Sequence, residues 1–157
     1  MAHEFKMQRR VEFCETDTAG IVHFSNFFRY MESAEHAFFR SLGLQVHSHS
    51  ESGIWGWARV DTACTFKSPL RNEELLDVHL IVREKRNKSF TYDVVFTKRE
   101  GGASVEVARG SMTTVCIKKR AGEEALQATA IPEDVGALIE AAPPEMLAEL
   151  LASAGRG

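Results

Sequence analysis

The chain has 157 residues, of which 44% are hydrophobic and 26% charged, and its formal net charge is −3. That length specifies one domain, or one domain and a tail, large enough to enclose a core. The composition excludes a disordered or fibrous chain, the charge gives no reason to expect nucleic acid, and no apolar run approaches the roughly 18 residues of a membrane span.

Alternation of Phe5, Met7, Arg9, Val11 and Phe13 on one face predicts a strand over 4–13. The turn-prone run Glu15-Thr16-Asp17-Thr18-Ala19-Gly20 follows. The apolar spacing then becomes helical. Phe27, Met31, Ala34, Phe38 and Leu42 recur at three- and four-residue steps, predicting one helix over 26–42. Ser25 or Asn26 would cap its start and Gly43 would stop it. Its wide aromatic face needs a sheet to cover it. Residues 44–53 read as a polar loop. Four strand-like runs come next: 53–66 with Ile54, Ala58, Val60, Cys64 and Phe66 on one face, 75–85 with Leu76, Val78, Leu80 and Val82, 89–98 with Phe90, Tyr92, Val94 and Phe96, and 103–117. The last changes phase near Gly110, which reads as a bulge. Short turn signals (Arg86-Asn87-Lys88 and Gly101-Gly102) join them as antiparallel hairpins, and no helical period separates them as parallel units would require. A helical pattern returns at Ile131, starts at Pro132-Glu133-Asp134, and is broken at Pro143-Pro144 before a second short amphipathic piece. The expected fold class is α+β: an antiparallel sheet of five or six strands wrapped around one long central helix, over 1–130, with short C-terminal helices over 131–157. The three cysteines, Cys14, Cys64 and Cys116, form no Cys-x-x-Cys pair. With no signal segment in the first ten residues, they suit a reducing compartment, and the expected location is cytoplasmic.

The segment from Asp17 to Phe27 places a carboxylate and a glycine just ahead of a helix N-terminus. Unpaired N–H groups there favour developing negative charge on a carbonyl oxygen, and a nearby carboxylate can attack that carbonyl or activate water. Asp17 capping a turn with Gly20 at the bend explains the same residues, and Asp-x-x-Gly alone is a weak signal. Glu32 and His36 stand one helical turn apart, but with no third ligand in register they read as a solvated face and not a metal site. His47 and His49 lie in the polar loop. The run Arg83-Glu84-Lys85-Arg86-Asn87-Lys88, with Lys67 and Arg71 earlier, is either a charged soluble turn or a phosphate-binding one.

The stretch Val11-Glu12-Phe13-Cys14-Glu15-Thr16-Asp17-Thr18-Ala19-Gly20-Ile21-Val22-His23-Phe24-Ser25-Asn26-Phe27 closely resembles the signature of hotdog-fold thioesterases, in particular the 4-hydroxybenzoyl-CoA thioesterase group. The resemblance continues through Phe39-Arg40-Ser41-Leu42-Gly43 and returns at Arg86-Asn87-Lys88-Ser89-Phe90, covering about 5–118. It implies the hotdog fold, agreeing with the period reading, and an acyl-CoA thioesterase with no metal and no redox cofactor. It makes Asp17 the nucleophile or general base. Gly20 to Phe24 become the turn whose N–H groups face the thioester oxygen, and Asn26 sits at the start of the helix. His23 and Phe24 depart from the family, where His or Tyr occupies the position of Phe24. His23 is open between polarising the carbonyl and standing as a polar tip. The resemblance also implies that Arg86 and Lys88 bind CoA phosphates. Trp55 and Trp57 are open between lining an acyl site and lying under other structure. It further implies a homodimer or homotetramer with sites at the subunit interface. A non-catalytic acyl-CoA-binding module is the alternative. A hydratase or dehydratase is disfavoured because His23 lies six residues after Asp17, too far for its motif.

Overall fold

The alternating runs form a single antiparallel sheet in a computed structural model that describes residues 1–154. The elements are β1 (Glu4–Arg10), α1 (Ser25–Ser41), β2 (Ser48–Ser50), β3 (Gly53–Phe66), β4 (Leu75–Lys85), β5 (Ser89–Glu100), β6 (Ala103–Arg120), β7 (Gln127–Ala128), α2 (Glu133–Gly136) and α3 (Pro144–Ala154). The strand order is β1-β4-β5-β6-β3-β2, with β7 added to β6. Helix α1 lies in the curl of the sheet. Its Phe27, Tyr30, Met31, Ala34, Phe38 and Phe39 are buried in one core with Leu76, Leu80, Phe90 and Phe96. Each such side chain contributes roughly 1.5–3 kcal/mol when withdrawn from water.

The strand expected over 4–13 ends at Arg10, because the chain turns through a short 3-10 segment at Phe13–Glu15 and leaves Phe13 78% exposed. Arg9 faces inward, its guanidinium 4.2 Å from the Tyr30 ring centroid and 2.8 Å from Glu15. The helix stops as the sequence implies. Gly43 has φ +72°, its N–H donates to Arg40 and that of Leu44 to Phe39, which together close the last turn.

Two bulges separate the pattern in the sequence from the faces in the sheet. The register of β3 against β6 shifts between Arg59 and Asp61, so Val60 is pushed out and is 61% exposed. Before the bulge the odd residues Trp55 and Trp57 face the core; after it Cys64 and Phe66 take that side. The single apolar face expected through Ile54, Ala58 and Val60 is therefore the outer one. In β6 the extra residue is Val107, between Glu106 and Ala108, and not Gly110. Gly110 answers to packing: a Cβ there would meet Met31 Sδ at 2.6 Å, so a side chain at 110 would have to displace the thioether end of Met31 under α1.

One carboxylate is buried under α1. Glu35 has 0% exposure, and its Oε1 accepts from Arg59 Nη2 at 2.6 Å. Its Oε2 and the hydroxyls of Tyr92 and Thr114 are buried without partners among the described residues. Burial pushes the Glu35 carboxyl up to about 7; the Arg59 charge opposes that rise and the Glu32 charge adds to it.

The C-terminal segment returns to the sheet. Helix α2 has only four residues, after which the Glu140 N–H donates to the Ala2 carbonyl and the Ala142 N–H to Val82. Val135 and Ile139 are buried in the core beside the strands.

Candidate active site

Between the end of β1 and the start of α1 the chain makes a tight turn that presents Asp17. The Ala19 N–H donates to Asp17 Oδ1 at 2.8 Å, and the Gly20 N–H donates to the Asp17 carbonyl at 3.0 Å. Gly20 closes this turn with φ +77°, a conformation that strains any side chain. Backbone bridges pin the segment on both sides, Thr16 with Val22 and Ile21 with Arg71. Asp17 is half-buried and opens onto a cleft of about 420 Å³. Phe24, Phe27, Phe66 and Leu70 give the cleft an apolar wall, with Phe27 and Phe66 in edge contact at 5.4 Å.

The N–H groups from Gly20 to Phe24 are not equivalent. Those of Gly20, Val22 and His23 are spent on Asp17, Leu70 and Glu15 carbonyls. Those of Ile21 and Phe24 have no partner among the described residues. Phe24 also occupies the position just before α1, where the helix dipole is positive. Ile21 and Phe24 both line the cleft.

Neither Ser25 nor Asn26 caps the helix. The helix begins at Ser25, and His23 supplies the side-chain acceptor: its Nδ1 lies 2.8 Å from Ser25 Oγ and 3.3 Å from Ser25 N. For both to donate, Nδ1 must be unprotonated, which puts the neutral ring's proton on Nε2. Asn26 is buried, and its Nδ2 donates to the Glu15 carbonyl at 2.8 Å. It ties the helix start to the turn and does not line the cleft.

Other predicted residues lie elsewhere. Trp57 is 7% exposed, packed between Phe39 at 5.8 Å and Phe90 at 5.3 Å, with Trp55 edge-on at 6.0 Å. The bulge at Val60 turns both indoles under the C-terminal half of α1, away from Asp17. Arg86 and Lys88 occupy the β4–β5 turn, where Arg86 Nε donates to Glu84 at 2.8 Å and Lys88 is exposed. Leu76 pairs with Arg9 near Asp17, so Arg86 is about 33 Å further along the strand, at the far end of the sheet. Within one chain, then, Asp17, Gly20 and Phe24 come together; Trp55, Trp57, Arg86 and Lys88 do not join them.

Lys67 was grouped in the sequence with the phosphate-binding cations, yet it lines the Asp17 cleft. Its Nζ pairs with Glu106, which Arg109 also holds. Burial alone would raise the Glu106 carboxyl, but the hydrogen bonds from Lys67 and Arg109 outweigh it and hold it below its ordinary range. Phe66 and Leu70 reach the cleft from the end of β3 and the loop after it; their apolar type was visible in the sequence, their meeting with Asp17 was not.

The sequence matches the Thioesterase-like superfamily over residues 11–139. A protein of Aquifex aeolicus (strain VF5) is 36% identical over 96 residues, 61% of this chain and 74% of its own. The 4-hydroxybenzoyl-CoA thioesterase of Pseudomonas sp. (strain CBS-3) is 29% identical over 136 residues, 85% of this chain and 96% of that one. A crystal structure of an Asp-to-Asn mutant of 4-hydroxybenzoyl-CoA thioesterase in complex with 4-hydroxybenzoyl-CoA superposes with a TM-score of 0.74, at 25% identity, covering 87% of this chain and 99% of that one.

Proposed function

The chain belongs to the Thioesterase-like superfamily, and from that premise we propose that it hydrolyses an acyl- or aroyl-CoA thioester to the free acid and coenzyme A. The observation that carries the proposal is that Asp17 and Phe24, the residue just before α1 whose backbone N–H has no partner among the described residues, line one apolar cleft. The thioester carbonyl enters with its oxygen toward the Phe24 N–H and the helix N-terminus, which stabilise the oxyanion. The Asp17 carboxylate attacks the carbonyl carbon, or takes a proton from a water that does. The C–S bond then breaks, and the CoA thiolate leaves and is protonated. If an acyl–aspartyl anhydride forms first, water hydrolyses it. In sum one water is consumed, and the acid and the thiol are produced. The chemistry needs a carboxylate, an N–H donor and water, and neither a metal nor a redox cofactor.

A homo-oligomer is part of the same reading. β2 pairs with β3 only as far as Trp55, and from Gly56 to Phe66 that edge of β3 has no strand partner among the described residues. An unpaired edge of this length is a template for a second strand, here from another copy. A second copy would also supply basic turns that one chain holds far from Asp17. Among the described residues no helix is long and apolar enough to cross a membrane.

A panel of aryl, short and long acyl-CoA thioesters, with the released thiol captured by a disulfide reagent, tests the proposal. At least one ester should turn over, and Asp17→Asn should lower kcat about a thousandfold or more while leaving the melting temperature unchanged. Full activity in that variant rejects the role of Asp17, and binding without turnover across the panel favours the non-catalytic module.

A further inference from the structure

Among the described residues Lys67 is the one cation lining the Asp17 cleft, set in a wall made largely of Phe24, Phe27, Phe66 and Leu70. Its ammonium meets the carboxylate of Glu106. Lys67 does not have that carboxylate to itself. Arg109 donates to Glu106 Oε1 through Nε at 3.1 Å and again through Nη2. The same guanidinium is fastened to α3, where Nη2 lies 2.9 Å from Ser153 Oγ and Nη1 donates to the Leu150 carbonyl. Glu106 is held below its ordinary range and is ionised. Two cations therefore share one anion, and the trio keeps an unmatched positive charge at the cleft. The next cation along is different: Lys98 is buried, lies 2.9 Å from Glu74 and donates to the Pro69 carbonyl at 2.7 Å, so its charge has a carboxylate of its own.

A bulge builds this arrangement. Residues three apart on a regular strand face opposite ways. The extra residue Val107 brings Glu106 and Arg109 to one side of β6, where they meet. The Val107 carbonyl also accepts from the Lys67 and Ser68 N–H groups, at 2.8 and 3.1 Å, which sets Lys67 beside the pair. An ammonium has three donors, and Glu106 needs only one of them. The Lys67 side chain is 23% exposed, so the others are open to a ligand. Among apolar side chains such a cation favours an anion over a neutral group. Asp17 repels an anion placed next to it, so the anion belongs at the end of the acyl group remote from the thioester.

We propose that Lys67 is the specificity-determining residue of the cleft, which takes the CoA thioester of a dicarboxylic acid with the free carboxylate paired to the Lys67 ammonium. Glu106 and Arg109 are positioning residues: Glu106 holds the ammonium in place, and Arg109 offsets the Glu106 charge that would otherwise cancel it. Cleavage of that ester rests on the thioesterase reading, whereas the pairing is a binding event whether or not the ester is cleaved.

Two measurements separate the two. The first is kcat/KM for adipyl-CoA and suberyl-CoA against hexanoyl-CoA and octanoyl-CoA, which match them in carbon number. The second is calorimetric binding of the corresponding thioethers, which cannot be hydrolysed. In both, the unaltered chain should favour the carboxylated member about tenfold or more. Lys67→Met should bring the ratio to about one or below, and Lys67→Arg, which keeps the charge, should retain the preference. Turnover of both kinds of ester without preference overturns the ligand class and leaves hydrolysis standing. A binding preference that Lys67→Met removes, with no ester turned over, does the reverse. A preference that survives Lys67→Met, or is lost equally in Lys67→Arg, overturns the role of Lys67.

Discussion

Glu35→Gln should flatten the pH dependence of stability. The carboxyl is buried under α1 with one oxygen unpartnered, and burial raises it from 4.5 to about 7. At about 1.4 kcal/mol for each pH unit, that displacement corresponds to about 3 kcal/mol. Its sign follows from proton binding. Between pH 4.5 and about 7 the folded chain holds a proton at Glu35 that the unfolded chain has released, so unfolding is favoured as pH rises. The stability of the neutral form is fully present below pH 4.5, is lost across this window, and stays lost above pH 7. Glutamine keeps the shape and has no proton to lose. The glutamine Oε1 can still accept from Arg59, whose side chain, 28% exposed, also reaches water, so any cost at Arg59 is a constant offset. His36, whose Nε2 is 3.4 Å from Arg59, titrates in both proteins, and burial lowers it. Urea unfolding at pH 5 and pH 8, at one protein concentration because subunit association adds to stability, gives the difference between variant and unaltered chain at each pH. That difference should move in the variant's favour by about 2.5 kcal/mol from the lower pH to the higher, most of the full displacement, since pH 5 already lies above 4.5. Parallel profiles would refute a carboxyl that is buried and neutral near pH 7.

Three further outcomes are expected. Arg86→Ala should raise KM for CoA esters and spare simple thioesters that lack the nucleotide; equal damage to both rejects a phosphate contact. His23→Ala should cost about 1 kcal/mol by removing the acceptor at the start of α1, with kcat largely retained; a thousandfold fall in kcat would assign the imidazole to the chemistry instead. Gly110→Ala should cost about 1–2 kcal/mol by forcing Met31 away from β6, and an unchanged melting temperature would deny that close approach.

The alternation survives into the structure where no register shift falls among the apolar positions themselves; in β4 the shift, at Arg83, comes after the last of them. Leu76, Val78, Leu80 and Val82 in β4, and Phe90 to Phe96 in β5, face the core as their spacing implies. The helix was legible because its apolar residues keep the 3.6-residue period for nearly five turns, and its end because glycine there permits the left-handed cap. Its start was not, since the capping group comes from His23, a residue type with little capping preference. Asp17 was weakly marked as a site by its spacing and strongly by the family signature. The cleft wall was invisible, because Phe66 and Leu70 meet Asp17 only after the sheet has curled.

The tryptophans show why the rest was hidden. A period-two pattern assigns residues to two faces but does not say which face is inner, and one inserted residue exchanges them. Ile54, Ala58 and Val60 are apolar and in phase with Cys64 and Phe66, so the sequence reads as one continuous inner face with Trp55 and Trp57 outside. Beside the insertion at Val60, Arg59 on the inner side reaches Glu35 on α1 while holding the Trp57 carbonyl through Nη1 at 3.1 Å, contacts that only the tertiary structure supplies. A charged residue bound to a buried carboxylate thus marks where the strand changes phase. Indoles that looked available for a ligand become the cover beneath the helix, and the cleft beside Asp17 is walled by phenylalanines instead.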